Sequence, residues 1–421
     1  MDEFITPAIS QIGETITGKT PSSESPGDFG SATPFVTPSD SFDQKFIAHT
    51  ERWLSAAGVA KLRGKLLPPN SVLVTCIGSS MGKVAMCKVA SVSNQQINSI
   101  VVRDDYSPDY IYYTLTNNYR ALRNAATGST ALPLLNKGDF DALKFRIHSS
   151  KAEQQKIAAV LSALDAKIDL NHRINAELEA LAKTIYDYWF VQFDFPFDFA
   201  QGRPDAHGRP YKSSGGAMVW NDTLKREIPA GWEVVAIGQT CETILGGTPN
   251  TKNPDYWDCA DIPWLSSGET ASFPVVTSEQ KISAAGIRDS AAKLLPAGTV
   301  VVSIVRYIRP SILGIAAATN QSVAGILETA QFPSSYLYPA VCREVPRWMD
   351  LRTGAQQPHI NKATIDGTLL VKPSKSVIDA YRKVADPLFK RVLVAANENH
   401  ELTQLRDWLL PLLMNGQVRV A

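Results

Sequence analysis

The chain holds residues of the types that do chemistry, but their spacing does not assemble them into a catalytic signature. Asn253-Pro254-Asp255-Tyr256 comes nearest to the Asn-Pro-Pro-Tyr-like tetrapeptide a methyltransferase uses at a flipped base; it departs at one position, and no glycine-rich cofactor loop precedes it. Pro254-Asp255 with Glu279-Gln280-Lys281 has the residue types of a magnesium nuclease, in which acids hold the metal and the lysine assists the attacking water. Pro-Asp recurs at 108 and 204, however, and an acid two residues before a lysine recurs at 43 and 165, so that pairing is no more than chance supplies. His49, His148, His172, His207, His359 and His400 lie far apart without metal-ligand spacing. No Gly-x-x-x-x-Gly-Lys-Ser/Thr loop is present to cradle ATP. Cys76, Cys87, Cys241, Cys259 and Cys342 are odd in number and never spaced as CxxC, which reads as reduced, mostly buried thiols rather than a disulfide framework or a zinc site. The expectation is a binding protein with no catalytic residue, no metal and no cofactor of its own.

At 421 residues the chain suits two domains plus connecting elements, and 44% hydrophobic with 20% charged residues describes a globular protein. The formal charge is only +1, so any attraction for nucleic acid must come from local patches rather than a global field. Acid follows Met1 where a secretory signal would carry basic residues, and no apolar run approaches the roughly 18 residues of a membrane span, which predicts a cytoplasmic protein.

An internal repeat organises the sequence. Glu14-Thr15-Ile16, leading to Thr20-Pro21, returns as Glu242-Thr243-Ile244, leading to Thr248-Pro249, at an offset of 228. Leu66-Leu67-Pro68 returns as Leu294-Leu295-Pro296 at the same offset, each opening a β-branched run. Asn94-Gln95 matches Asn320-Gln321 at 226, and Asn136-Lys137 matches Asn361-Lys362 at 225. Collinear matches at a nearly constant offset mark a tandem duplication. Each copy opens with short β-rich segments broken by Gly, Pro, Ser and Asn and closes with a long helical pattern.

The first helical face carries Leu164, Ile168, Asn175, Leu178, Leu181 and Ile185; the second carries Leu388, Val392, Asn399, Leu402, Leu405 and Leu409, every pair differing by 224. A helix of about 38 residues at about 1.5 Å each is on the order of 57 Å long, which a coiled coil explains better than the core of a small domain. Asn171, Asn175 and Asn399 either fix the register of that seam or sit at its edge. Pro387 predicts a kink or a helix start, because it removes a helical hydrogen bond. Phe193 to Gly216, rich in Gly-Arg-Pro and Ser-Gly, reads as a linker.

Glu153-Gln154-Gln155-Lys156-Ile157 through Asp187-Tyr188-Trp189-Phe190 to Phe193-Asp194-Phe195-Pro196 resembles the central helix of type I restriction-modification specificity subunits. Glu398-Asn399 through Leu405-Arg406-Asp407 to Leu410-Pro411 resembles their C-terminal helix, and the likeness extends over essentially the whole chain. It implies a mixed α/β (α+β) fold: a first target-recognition domain at 1–150, a central spacer helix at 151–192, a linker at 193–218, a second recognition domain at 219–373 and a C-terminal spacer helix at 374–415. The helices would form an antiparallel coiled coil with internal pseudo-two-fold symmetry. The resemblance further implies binding to a bipartite double-stranded DNA target and assembly with two methyltransferase and two endonuclease/motor subunits. S-adenosylmethionine, ATP and magnesium would then be bound by those partners, and adenine methylated by them. The first copy lacks a counterpart to Gly231-Trp232-Glu233, so its extreme N-terminus is expected to pack differently.

Under that reading each half addresses one half-site, as the halves of a symmetric dimer do, and the rod acts as a ruler: an added helical turn would lengthen the unread gap without altering either half-site. Phosphate contacts call for Lys, Arg and loop amides; base edges call for Arg, Lys, Asn, Gln and Ser. In the first copy the candidates are Lys19, Thr20, Ser79, Ser80, Lys83, Ser129 and Lys137. In the second they are Thr248, Arg306, Tyr307, Arg309, Gln356, Gln357 and Lys362. Asn136 and Asn361 rank lower as turn formers. Tyr186, Tyr188 and Trp189 are read either as a partner surface or as a cap on the coiled coil. The rival from another class is a coiled-coil scaffold that touches no DNA; only the recognition reading requires sequence-specific, salt-sensitive DNA affinity.

Overall fold

A computed structural model of the chain describes residues 3–22, 25–47, 49–125, 134–258, 260–354 and 356–420. It divides into two compact units, Met1–Leu170 with Glu401–Ala421, and Asn171–His400. In the first unit the β-branched run Val72–Thr75 lies inside an antiparallel sheet of order Gly13–Thr17, Ile97–Val102, Val72–Thr75, Val84–Met86. All four residues of Val72–Thr75 are buried, as expected of a strand covered on both faces. Alternation then assigns the faces. Val72 and Val74 pack with Tyr110, Leu115, Ile157, Leu161 and Leu410, whereas Leu73 packs with Val36 and Leu67 of a second sheet. That second sheet runs Arg52–Leu54, Phe29–Val36, Ser91–Ser93, Leu66–Leu67, with its middle pair parallel.

The second unit repeats this plan, with a single bridge from Leu295 to Ala317 where the first has the strand Leu66–Leu67. Its first sheet has the order Thr243–Leu245, Val323–Ile326, Val300–Ser303, Pro310–Ile312. Val300 and Val302 face the aromatic core of Tyr336 and Trp189, and Val301 faces Leu265 and Leu295. The second sheet, Gln280–Ile282, Ile262–Leu265, Ala318–Thr319, again contains a parallel pair. The small devices recur as well. After each Leu-Leu-Pro a hydroxyl turns the chain back: Ser71 Oγ donates to the Pro68 carbonyl at 2.7 Å and Thr299 Oγ1 to that of Pro296 at 2.8 Å. Ser55 and Ser283 cap the short helices Ala56–Lys61 and Ala284–Arg288. Duplication is therefore visible in the fold as well as in the sequence.

The expectation of a differently packed N-terminus is overturned. Phe4–Ile5 pairs antiparallel with Ile147–His148, and Ala8 bridges Lys144, as Ala236 pairs with Leu369 in the ladder of Glu233–Ala236 with Leu369–Lys372. Only residues upstream of that strand lack a counterpart. Residues 196–210 carry a three-stranded sheet around Pro196–Asp198, packed by Phe195, Tyr211 and Trp232 in near-parallel stacks.

The long helices are Lys151–Tyr186, which ends in the π turn Asp187–Val191, and Lys375–Met414. Pro387 neither starts nor ends the second. It is exposed, and so is Lys383, whose carbonyl would have received the missing N–H, so water meets the orphan acceptor. In the second unit the helices pair antiparallel through buried asparagines. Asn171 Nδ2 donates to Asn399 Oδ1 at 2.9 Å and Glu398 Oε2 at 2.8 Å, and Asn175 Nδ2 to the Val392 carbonyl at 3.2 Å. Asn171 is fully buried, so these residues lie inside the seam rather than at its edge. Of the proposed seam residues, Ile168 and Val392 are buried and Leu164, Leu178, Ile185, Leu388, Leu402 and Leu409 are half-buried. Leu181 and Leu405 do not belong to it, being 46% and 42% exposed, and the buried positions nearby are Ala182, Ala385 and Ala395. Tyr186 and Trp189 are buried in the aromatic core of the second unit, and Tyr188 is partly buried against it.

In the first unit a buried polar network bolts the helical halves to the sheets. Gln154 accepts from the Ser107 amide at 2.9 Å and donates to the His148 carbonyl at 2.7 Å. Lys45, only 6% exposed, reaches Ser162 Oγ at 2.7 Å and Asp109 at 2.6 Å. Tyr113 donates to Asp165, which also pairs with Arg406 at 2.8 Å. Burial, reinforced by that carboxylate, raises the Tyr113 hydroxyl above its ordinary range and keeps it a donor. Removing the guanidinium by Arg406→Met leaves Asp165 charged and nearly buried, so we expect destabilisation of roughly 3 kcal/mol in denaturant unfolding. Lys375→Met, at an exposed pair with Asp379, should leave the unfolding curve where it is; equal shifts for the two variants would contradict the network's role.

Candidate nucleic-acid interface

Because each first sheet is covered on both faces, its exposed chemistry gathers at its ends. One end of the first unit's sheet collects the segment after Thr17, the turn before Ile97 and the loop between Thr75 and Val84, since Thr17 pairs with Asn98, Thr75 with Ile97 and Val74 with Val84. The later loop is laced in by Leu135 N donating to the Cys76 carbonyl at 2.9 Å, and Cys76 N in turn donates to Gln96 at 2.8 Å. The second unit makes the equivalent rim. Ile360 N donates to Ile304 at 3.0 Å and Arg306 N to Pro358 at 2.8 Å. Lys19, Thr20, Ser79, Ser80, Lys83 and Lys137 thus come together at one rim, and Thr248, Arg306, Tyr307, Arg309, Gln356 and Gln357 at the other; Lys362 follows the second rim in the chain, but its Nζ is turned to Asp366, which binds Thr243 at the far end of its strand. Ser129 lies outside the described residues.

The rim side chains differ in how free they are. Lys19 is exposed, whereas Lys83 is paired with Asp43 at 3.0 Å. In the second unit Arg306 is held at φ +60°, a left-handed conformation costly for a side chain of this size, and its amide and carbonyl are bonded to Pro358 and Arg352. The guanidinium of Arg309 lies 5.1 Å from the centre of the Tyr307 ring, and Tyr307 is 62% exposed. A cation stacked on an exposed aromatic at a loop tip suits phosphate or base-edge contact. Thr20 and Thr248 are tied down instead: each hydroxyl donates to a glutamine Oε1, Gln95 at 2.6 Å and Gln321 at 2.5 Å.

Asn136 and Asn361 are caps. Their Oδ1 atoms accept from the amides of Asp139 and Thr364, each at 2.9 Å, starting helices Lys137–Ala142 and Lys362–Asp366. Several rim residues were not picked out by sequence: Arg123, which bonds Tyr119 Oη at 2.8 Å and sits over its ring, Arg352, and the two glutamines. For the glutamines a signal existed, since Asn-Gln recurs in both copies. For the arginines, on helical or loop segments far along the chain, spacing held none.

The enzyme-like motifs are spent on structure. Asn253 uses its side chain to cap the single turn Pro254–Tyr256, accepting from Asp255 N at 3.1 Å. Burial pushes the thiols of Cys76 and Cys342 up to about 11 and that of Cys87 up to about 12, so they stay protonated. Cys259 lies outside the described residues. Among the described residues no group of three or more His, Cys, Asp or Glu is placed to hold a metal ion, and no helix is long and apolar enough to cross a membrane.

Residues 1–180, the first unit's recognition fold with most of the central helix, match the family of the Type I restriction modification DNA specificity domain. Over those residues the chain resembles the type I specificity subunits. The Type I restriction enzyme MjaIX specificity subunit of Methanocaldococcus jannaschii is 24% identical to it over 98% of this chain and 93% of its own. The HindI specificity subunit of Haemophilus influenzae is 24% identical over 74% of this chain and 77% of its own. In fold, the chain resembles the crystal structure of the type I restriction-modification S subunit from M. genitalium, with a TM-score of 0.57 at 14% identity, covering 98% of this chain and 96% of that one. The rim cations should differ by freedom. Lys19→Ala is expected to weaken binding to all duplexes alike and reduce the slope of log affinity against log salt by about 1, whereas Arg309→Ala relaxes preference within one half-site. Titration of labelled duplexes at several salt concentrations separates the two; an unchanged slope for Lys19→Ala would remove it from the interface.

Proposed function

We propose that this chain is a specificity subunit that reads a split double-stranded DNA target, each rim addressing one half-site, and directs partner adenine methyltransferase and endonuclease subunits to it. The observation that carries the reading is one framework built twice with different side chains in the loop after its central strand: Ser79, Ser80 and Lys83 in the first unit, Arg306, Tyr307 and Arg309 in the second. A fixed scaffold with exchanged tips is what reading two different half-sites requires. The near-zero net charge fits a protein that relies on local rim cations and on its partners for affinity.

The complex we propose contains two methyltransferase and two endonuclease/motor subunits, located in the cytoplasm, with S-adenosylmethionine, ATP and magnesium held by the partners. This chain supplies recognition and no reacting group. A coiled-coil scaffold indifferent to DNA is the weaker reading, because it gives no reason for cations and stacked aromatics to gather at equivalent sheet ends. Co-expression with the neighbouring methyltransferase subunit, followed by mapping of methylated adenines by single-molecule sequencing, tests the proposal. The expected result is one split motif with a fixed gap, lost when this chain is deleted. Methylation that persists unchanged without the chain would refute it.

A further inference from the structure

We infer that Gln95 and Gln321 read bases, each held as an oriented hydrogen-bond donor by the threonine opposite it; the inference rests on the proposed DNA-reading role of the rims. Both glutamines are exposed, each in the turn that enters a strand of the four-stranded sheet, Ile97–Val102 or Val323–Ile326, at the rim end. In each unit the threonine hydroxyl donates to the glutamine Oε1, at 2.6 Å from Thr20 and 2.5 Å from Thr248. A hydroxyl can donate or accept, and in both units it is the amide oxygen that faces it, so Nε2 points away from the threonine. The Nε2 hydrogens are left without a partner among the described residues, and they match the acceptors at the major-groove edge, guanine O6 and N7, adenine N7 and thymine O4.

The backbone around the latch is fixed equally firmly. Gly18 and Gly246 end their strands so close to the neighbouring chain that an added Cβ would lie 2.2 Å from the carbonyls of Ser93 and Thr319. The next amides close the approach: Lys19 N donates to Ser93 at 2.9 Å and Gly247 N to Thr319 at 2.8 Å. An exposed glutamine that must order on binding gives up rotamer freedom, and a latch meets that cost before DNA arrives. A solvent-exposed hydroxyl–amide bond adds little to fold stability by itself. Its recurrence at equivalent places in both units, with the same donor and acceptor, points to positioning of the amide.

The test uses the chain in complex with its methyltransferase partner and duplexes carrying every single-base change in the motif that the wild type methylates. Thr20→Val and Gln95→Met should lower discrimination at the same position of one half-site, by about two- to tenfold for a lost hydrogen bond. Thr20→Ser, which keeps the hydroxyl, should retain it, and Thr248→Val with Gln321→Met should act only in the other half-site. Melting temperature and salt slope should stay at wild-type values throughout. Equal weakening for every duplex, no change at any position, or loss of discrimination only alongside a collapse in melting temperature would overturn the assignment. A wild-type complex that favours no sequence would instead refute the DNA-reading role on which it rests.

Discussion

A strand buried on both faces leaves a sheet only its ends with which to meet another molecule, and the architecture of each unit follows from that constraint. Val72–Thr75 and Val300–Ser303 are apolar on both sides, so each must be enclosed by a second sheet on one face and by helices on the other. The burial that stabilises the unit, about 1.5–3 kcal/mol for each large side chain, also closes its broad surfaces. What stays open is the row of turns where strands begin and finish. Those turns can vary in their exposed residues without disturbing the enclosed strands, which is why one framework can present two different rims.

The rims have to be held by something other than their own tips. In both units the holding groups are backbone amides and short polar side chains: asparagine caps at 136 and 361, hydroxyl turns after Leu-Leu-Pro, and the lacing of a later loop onto the residue after the central strand. These interactions depend on residue type at few positions, and those positions are the ones that repeat in the sequence. The second requirement is a firm base. In the first unit it is the buried network of Lys45, Tyr113, Asp165 and Arg406; in the second it is the aromatic core in which Tyr186, Trp189, Tyr336 and Tyr381 meet edge to face.

This division explains what the sequence revealed. The duplication, the β-branched central strands, the long helices and a structural use of Asn136 and Asn361, read as turn formers, were legible because each rests on local periodicity or on a residue whose chemistry admits few uses. The helix seam was read less well. A hydrophobicity pattern selects the largest side chains, whereas the close approach uses Ala182, Ala385 and Ala395 and leaves Leu181 and Leu405 to solvent. Trp189 and Tyr186 were ambiguous because an aromatic residue at a helix end serves a core or a surface equally well, and only the long-range contacts with Tyr381 and Tyr336 decide. Thr20 and Thr248 were found as rim residues, yet their glutamine partners lie 75 and 73 positions further along the chain, beyond any local pattern.

The central claim is that the two rims are the surfaces that meet DNA. A structure of the complex bound to its own methylated target, determined by electron cryomicroscopy, tests it most directly. The account predicts that Arg309 and Gln321 at one rim, and Lys19 and Gln95 at the other, lie against the major grooves of the two half-sites. Duplex engaged elsewhere, with both rims facing solvent, would contradict it.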